Sequence, residues 1–351
     1  MTYNILILGA SYGSLLGTKL LMAGHNVTLV CRKKTAQLIN DRGTEVLLKL
    51  SDEASHRVIR SVDLPGKLNA LSPDAVDPTA CYDLVCLAMQ EPQYGAQEIW
   101  ALMTRIAEAR IPCLSIMNMP PLPYLKRIPG LDTAKLESCY TNPRVWDNFD
   151  PQLITLCSPD PQAFRPPDEA ANVLHVGLPT NFKAAPFGDV AANRILTRLD
   201  ADISAIRLDG QDVPVKLRVF GSVFVPLANW GMLLTGNYRC ITRSGSRCIR
   251  DAVHDDTARS QAIYSYVNTI AQQLGASRAD QVPFEKYARA AEGLHKPSSA
   301  ARAIADGAAV IERADKLVQL IGRALGMNNP EIDEIVALVD EKLRENQRQS
   351  A

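Results

Sequence analysis

NILILGASYGSLLGTKLLMAGHNVTLVCR, residues 4–32, reads as strand, tight turn, helix and strand. Ile5, Leu6, Ile7 and Leu8 form an unbroken apolar run, as expected of a strand covered on both faces of a parallel sheet. Gly9 breaks the run. Leu15, Leu16, Lys19, Leu20 and Ala23 then recur at helical spacing, Gly24 and His25 stop the helix, and Val27 to Val30 resume a β-rich run. The pattern predicts a βαβ unit at the start of the chain.

The turn carries the chemistry. A glycine-rich corner between strand and helix lets main-chain N–H groups and a helix N-terminus approach a pyrophosphate. Gly9, Ser11, Tyr12, Gly13 and Ser14 occupy that corner. The match to G-x-G-x-x-G is imperfect, because Ser11 stands at the second glycine and Gly13 arrives one residue early, with Ser14 in the standard register. Gly17 is expected to keep the helix close to the sheet. At the end of the second strand an NAD enzyme offers an acid to the ribose 2′-hydroxyl, and an NADP enzyme offers a cation to the 2′-phosphate. Here the chain reads Cys31, Arg32, Lys33, Lys34, with no carboxylate. A planar guanidinium suits a phosphate dianion. Alone, the turn can also be read as a structural corner and the cations as a solvated run; together they favour NADP(H).

At 351 residues the chain is most simply two domains. It is 46% hydrophobic and 22% charged with a formal net charge of +0, which gives no electrostatic argument for nucleic acid. No apolar stretch has the length of a bilayer span and no signal-peptide pattern opens the chain, so a cytoplasmic protein is expected. The 8 cysteines are scattered without a C-x-x-C pair, and the 5 histidines are equally dispersed, so reduced thiols and no protein metal site are expected.

Beyond Arg32, a short helix is expected over Thr35 to Asn40, and a β-hairpin from Thr44 to Leu50 with His56 to Val62. A loop follows from Leu71 to Thr79. YDLVCLAM, Tyr82 to Met89, reads as the next buried strand, with Gln90 to Gln93 at its carboxyl end, the edge where open α/β sheets bind ligands. Tyr94 to Ala109 reads as helix and Ile111 to Met117 as strand, closing with Asn118. Irregular β pieces, including Leu153 to Cys157 and Val173 to Val176, complete a first domain over residues 1–190. Residues 191–351 are expected to be a helical second domain. Its helices are read at Ala192 to Ala201, Leu217 to Leu234, Ile249 to Leu274, Phe284 to Gly293, Ser299 to Leu325 and Pro330 to Arg344, and the tail after Glu345 is expected to fray.

This order of parts resembles the ketopantoate reductase family, NADPH-dependent enzymes that reduce 2-dehydropantoate to pantoate. The family pattern GAGxxGSLLGxxLxxAGHxVTLVxR runs nearly in step with Gly9 to Arg32. The family's strand ending in A-V-K with a later Gln resembles Ala88, Met89, Gln90 and Gln93, so Gln90 replaces a lysine. Its Asn-Gly loop resembles Asn118 and Met119, keeping the asparagine that lies near the nicotinamide. Its catalytic lysine, which opens a helix after an acidic extended segment, resembles Lys216 after Asp209, Asp212, Val213, Pro214 and Val215. Its T-E-I-D motif resembles Ile311, Glu312, Arg313, Ala314 and Asp315, and its Pro-Ser segment resembles Pro297, Ser298 and Ser299.

The resemblance implies a Rossmann-type dinucleotide-binding domain followed by an all-α domain, a place in pantothenate biosynthesis, NADP(H) as cofactor and a small keto acid as substrate. Lys216 would act as proton donor, with Glu312 beside it holding the substrate or tuning the lysine. Family members place asparagines one and two turns after the lysine, where this chain has Phe220 and Phe224. Phenyl rings in place of buried amides point to a bulkier or more apolar carbonyl compound. Two rival functions stay open: an opine-type dehydrogenase reducing the imine of a keto acid and an amine, and a non-catalytic NADP-binding sensor. The oligomeric state is open as well, a homodimer included.

Overall fold

A computed structural model describes residues 1–50, 53 and 55–350, and the quoted stretch forms β1 (Asn4–Leu8), α1 (Tyr12–Met22) and β2 (Asn26–Val30). The chain continues through α2 (Lys33–Arg42), β3 (Glu45–Leu48), β4 (Arg57–Arg60), β5 (Leu68–Leu71), β6 (Leu84–Leu87), α3 (Gln97–Glu108), β7 (Cys113–Ile116) and α4 (Leu122–Leu125). Then come β8 (Ile154–Ser158), β9 (Gln162–Phe164), β10 (Val173–Leu178), β11 (Phe182–Ala184), α5 (Val190–Ser204), β12 (Arg207–Leu208), β13 (Gln211–Asp212) and β14 (Leu217–Val219).

Chain contacts divide the molecule into two compact units. The first comprises Met1–Met89, Gln93–Arg127 and Arg144–Gly221; the second comprises Gln90–Pro92, Ile128–Pro143 and Ser222–Ala351. The change of text at 190/191 therefore falls inside the first unit.

The first unit is organised on an eight-stranded sheet of order β14-β11-β8-β7-β6-β1-β2-β5. β1 has a parallel neighbour on each side, Ile7 opposite Leu29 of β2 and Cys86 of β6. That central position explains the unbroken apolar run, since all four residues from Ile5 to Leu8 are fully buried. β6, β7 and β8 continue the parallel order, so the carboxyl ends of β1, β6, β7 and β8 share one edge. β5 joins β2 in parallel through Leu68 opposite Val27. Its four residues, LNAL, include an exposed Asn69 and were not expected as a strand.

A second, four-stranded sheet has the order β4-β3-β10-β9. It contains the expected hairpin partners β3 and β4, paired antiparallel.

One expectation at the exit of this unit fails. Leu217 to Leu234 is not one helix: β14 pairs in parallel with β11, and a 3-10 turn at Val225–Ala228 precedes a short helix. The residues Leu217 and Val219 are at home in either structure by side-chain type, and pairing along β11 decides.

The second unit is helical, with α6 (Asn229–Met232), α7 (Ile249–His254), α8 (Thr257–Gln273), α9 (Phe284–Ala291), α10 (Ser299–Ala305), α11 (Ala314–Ala324) and α12 (Pro330–Ser350). One two-residue hairpin, β15 (Ile241–Thr242) with β16 (Gly245–Ser246), interrupts it. The expected long helices at Ile249–Leu274 and Ser299–Leu325 are each split. Asp256 caps α8 by accepting from the Arg259 N–H, and Gly307 with a φ of 86° ends the turn after α10. α12 runs on to Ser350 where fraying was expected, and Ala351 lies outside the described residues. All eight cysteines are free. No described helix is long and apolar enough to cross a membrane.

Candidate active site

The corner between β1 and α1 is built by missing side chains. Gly9 has a φ of +102°, and a Cβ there would lie 2.6 Å from the Ala88 carbonyl oxygen and 2.7 Å from Met89 Cγ. Its N–H donates to the Val30 carbonyl at 3.0 Å, which straps the turn to the end of β2. A Cβ on Gly13 would lie 2.6 Å from Ile7 Cγ2, so α1 can sit on β1 only because Gly13 has none. At Gly17 the corresponding approach to Val27 Cγ1 is 3.4 Å, the close packing expected there.

Ser11 occupies the N-cap of α1 without a side-chain cap bond, and no acid stands in the first turn. Ser14 N–H donates to the Ser11 carbonyl at 3.1 Å, and the Ser14 hydroxyl donates to the Ala10 carbonyl. Tyr12 turns its hydroxyl to the carbonyls of Pro159, at 3.1 Å, and Pro161, which ties the turn to the segment after β8. Burial, with a smaller contribution from the Asp160 carboxylate, pushes the Tyr12 phenol well up. The corner therefore leaves main-chain donors at a helix N-terminus, an arrangement that fits the pyrophosphate of a dinucleotide.

Arg32, at the N-cap of α2, is exposed, and among the described residues it has no ion pair. Lys33 and Lys34 follow as the first residues of α2, also exposed. Asn118 directly follows Met117 after β7 and is half-buried.

Lys216 reaches this edge by a different route. β11 runs antiparallel to β8, with Lys183 opposite Ser158, and β14 runs with β11. The start of β14 thus lies at the end of the sheet where β8 finishes. Lys216 stands there, immediately before β14. Its N–H donates to Asn181 Oδ1 at 2.8 Å and its carbonyl accepts from the Phe182 N–H at 2.9 Å. Its ammonium is half-buried and lies 3.4 Å from the Asp212 carboxylate.

Lys216 does not open a helix, contrary to expectation, and Phe220 does not lie one turn above it. Phe220 extends the strand edge instead, donating to the Ala184 carbonyl, and is partly exposed. The residue before Lys216 is unusual. Val215 is fully buried at a φ of 64°, a conformation that a β-branched residue adopts only under strain of roughly 1–3 kcal/mol.

Lys19 of α1 lies in the same neighbourhood, donating from Nζ to the Pro214 carbonyl at 3.0 Å. It is almost wholly buried, and that burial, followed by the charge of Lys216, lowers its ammonium to about 7. In the sequence Lys19 reads only as one member of a helical face. Its buried charge becomes visible once Pro214 is placed beside it.

The second unit holds Glu312. The segment around it is clamped: Arg313 pairs with the fully buried Asp315 at 2.9 Å and with Asp340 at 2.5 Å. Burial pushes the Asp315 carboxyl up, and the Arg313 guanidinium opposes that shift. The Tyr238 hydroxyl donates to the Glu312 carbonyl at 2.6 Å and accepts from the Ala314 N–H at 3.0 Å. Glu312 is therefore no surface residue of a continuous helix, but a loop residue held just before α11.

Glu312 Oε1 accepts from the Glu91 N–H at 3.2 Å. Gln90 is the exposed residue beside Glu91 in that short segment, which follows directly on Met89. Glu91 itself is buried, accepts at 3.0 Å from both the N–H and the hydroxyl of Thr141, and has its carboxyl pushed up by burial. In the sequence, Glu91 reads only as a loop residue beside Gln90.

Ser298 caps α10, accepting from the Ala301 N–H at 3.1 Å while donating to the Asn237 carbonyl at 2.7 Å, and Ser299 is the exposed first residue of that helix. Phe224 belongs to the second unit, where its ring lies beside Gly275, whereas Phe220 belongs to the first.

No protein-family model matches the chain, and no curated protein matches it. Solved structures do. A candidate ketopantoate reductase from Ralstonia solanacearum MolK2 superposes with a TM-score of 0.67 at 16% identity, over 99% of each chain. D-mandelate dehydrogenase in ternary complex with NADH and anilino(oxo)acetate gives 0.64 at 14% identity, over 98% of this chain and 99% of that one. The 2-dehydropantoate 2-reductase of Methylococcus capsulatus gives 0.64 at 13%, over 98% and 97%. The fold is thus that of solved ketopantoate reductases, a Rossmann-type domain followed by a helical one.

Proposed function

We propose that the chain is an NADP(H)-dependent oxidoreductase that reduces a small 2-keto acid to the 2-hydroxy acid, in the manner of a 2-dehydropantoate 2-reductase. One observation carries the reading: Lys216 stands on the carboxyl edge of the sheet whose β1–α1 corner is a tight turn at Gly9 and Gly13 leading into a helix N-terminus. Main-chain donors between Ala10 and Gly13 would hold the pyrophosphate, with Gly9 and Ser14 shaping the turn through their own bonds to Val30 and Ser11; Arg32 would hold the 2′-phosphate, and Gln90 and Asn118 the nicotinamide half. A bound NADPH supplies the hydride.

The protein's own part is to position the carbonyl and manage one proton. As the keto carbon is reduced, its oxygen gains negative charge and takes the proton held on Lys216 Nζ. Assistance of this kind is worth about 10²–10⁴-fold. Asp212, 3.4 Å from Nζ, helps hold the end of the lysine side chain in place. Glu312, whose carboxylate is oriented by the Glu91 N–H, would accept a hydrogen bond from a hydroxyl of the substrate. Phe220 and Phe224 favour a substrate with an apolar group, and the likeness to a D-mandelate dehydrogenase fits an aryl keto acid as well as 2-dehydropantoate. Ser298 and Ser299 are the further candidates for the substrate carboxylate.

The test is NADPH oxidation against a panel of 2-keto acids with and without amines. Turnover of a keto acid alone supports the reading. Turnover only when an amine is added would assign an opine-type dehydrogenase instead, and nucleotide binding without any turnover would assign a sensor.

A further inference from the structure

Resting on the NADP(H) reading above, we infer that Arg165 is a second reader of the cofactor's 2′-phosphate, forming with Arg32 a two-guanidinium anion site beside the glycine turn. Arg165 directly follows β9, whose pairing with β10 puts Phe164 opposite His175. Pro166 and Pro167 come next and hold the chain extended, which limits where the side chain can go. The side chain crosses to the turn, where Nη2 donates to the Ala10 carbonyl.

The rest of the guanidinium is left without an anion. Its Nε is buried with no hydrogen-bond partner, and among the described residues no carboxylate pairs with Arg165 or with Arg32. Burial, and then the nearby charge of Arg32, weaken the protonated form of Arg165, while Cys31 at the end of β2 opposes them. A half-buried guanidinium next to a second, exposed one, with no carboxylate paired to either among the described residues, is an unfavourable arrangement that a bound dianion would relieve. A phosphate dianion can accept two parallel bonds from each planar fork.

The position selects which phosphate. Arg165 is anchored on Ala10, whose neighbour Gly9 is bonded to Val30 at the end of β2, directly before Cys31 and Arg32, at the strand end where this class of fold holds the ribose 2′ position. The pyrophosphate belongs to the N–H groups of α1, and Arg165 spends one donor on the Ala10 carbonyl. The sequence alone could not find this residue, because 133 positions separate it from Arg32 (165 minus 32) and only the bond to the Ala10 carbonyl shows that it lies at the turn.

The experiment is a set of titrations of the full chain and of Arg165→Gln with NADPH, NADH, 2′,5′-ADP and 5′-AMP. The substitution should raise the Kd for NADPH and for 2′,5′-ADP by about tenfold to a hundredfold. Affinities for NADH and 5′-AMP, measured on the same preparation, should change by no more than about threefold. Because the result is a ratio, a partly destabilised variant still gives it. Equal weakening of all four ligands would assign Arg165 to the pyrophosphate or to the shape of the turn, and unchanged NADPH binding would remove it from the site; either overturns the inference. If the unsubstituted chain prefers NADPH and only Arg165→Gln fails to change that preference, the NADP(H) reading stands and this inference alone falls. If the unsubstituted chain binds neither nucleotide, both fall.

Discussion

The Gly9–Ser14 corner and the Val213–Val219 segment reach one edge of one sheet by opposite means. At the corner, side chains are removed so that backbone can come close: Gly9 and Gly13 leave no room for a Cβ. At the other segment a side chain is delivered, and the backbone bends to do it, with Val215 held at a φ of 64° and buried. A surface that binds an anion through main-chain N–H groups is harmed by added atoms. A surface that supplies a proton through one ammonium is harmed by losing that group.

The sharpest way to break this contrast is Lys216→Ala. It should lower kcat by about 10²–10⁴-fold while leaving the Kd for NADPH unchanged, as read by steady-state kinetics beside fluorescence titration. A parallel loss of cofactor affinity would mean that the segment shapes the cradle rather than the chemistry. Arg32→Ala should do the reverse, weakening NADPH by about tenfold to a hundredfold, with NADH nearly unaffected and kcat at saturation retained. Gly13→Val places branched carbon where Ile7 already lies, so the unfolding transition of the first unit should lose roughly 1–3 kcal/mol in chemical denaturation. A variant as stable as the parent would show that α1 can shift off β1.

The mildest effect concerns Lys19, which lies between the two regions. Its ammonium is lowered to about 7 in the folded chain, against an ordinary value of 10.5. Below about pH 7 the lysine is charged in both folded and unfolded chains, and the folded state carries the full burial penalty. As pH rises from 7 toward 10.5 the unfolded chain binds more protons than the folded one, so stability rises and the penalty fades. Lys19→Met removes the titrating group. Its stability relative to the parent should therefore be more favourable at pH 6 than at pH 9, by about 1–2 kcal/mol. A pH-independent difference would show that Lys19 titrates normally.

What the sequence revealed follows the same contrast. The corner is legible because its physics is local: an apolar run, glycines where atoms would clash, and a basic strand end all lie within residues 4–32. Lys216 could be picked out by resemblance, yet its setting was misread as a helix start. Leu217, Val219 and Phe220 fit either structure, and only the long-range pairing with Phe182 to Ala184 makes them a strand. Glu312 was placed on a helix for a similar reason. The break before α11 is set by the Tyr238 hydroxyl, 74 positions away, bridging the Glu312 carbonyl and the Ala314 N–H. Arg165 and Lys19 were invisible as functional candidates because their partners, Ala10 and Pro214, are contributed by distant parts of the chain.

The most direct test of the central claim is single-turnover reduction of 2-dehydropantoate and of an aryl 2-keto acid by NADPH, with the parent chain and with Lys216→Met. The parent should oxidise NADPH with at least one of these acids in the absence of any amine, and Lys216→Met should bind NADPH equally well but turn over at least about a hundredfold more slowly. Equal single-turnover rates in the two proteins would contradict the claim, because the proton would then come from elsewhere and the strained segment before β14 would have no part in the chemistry.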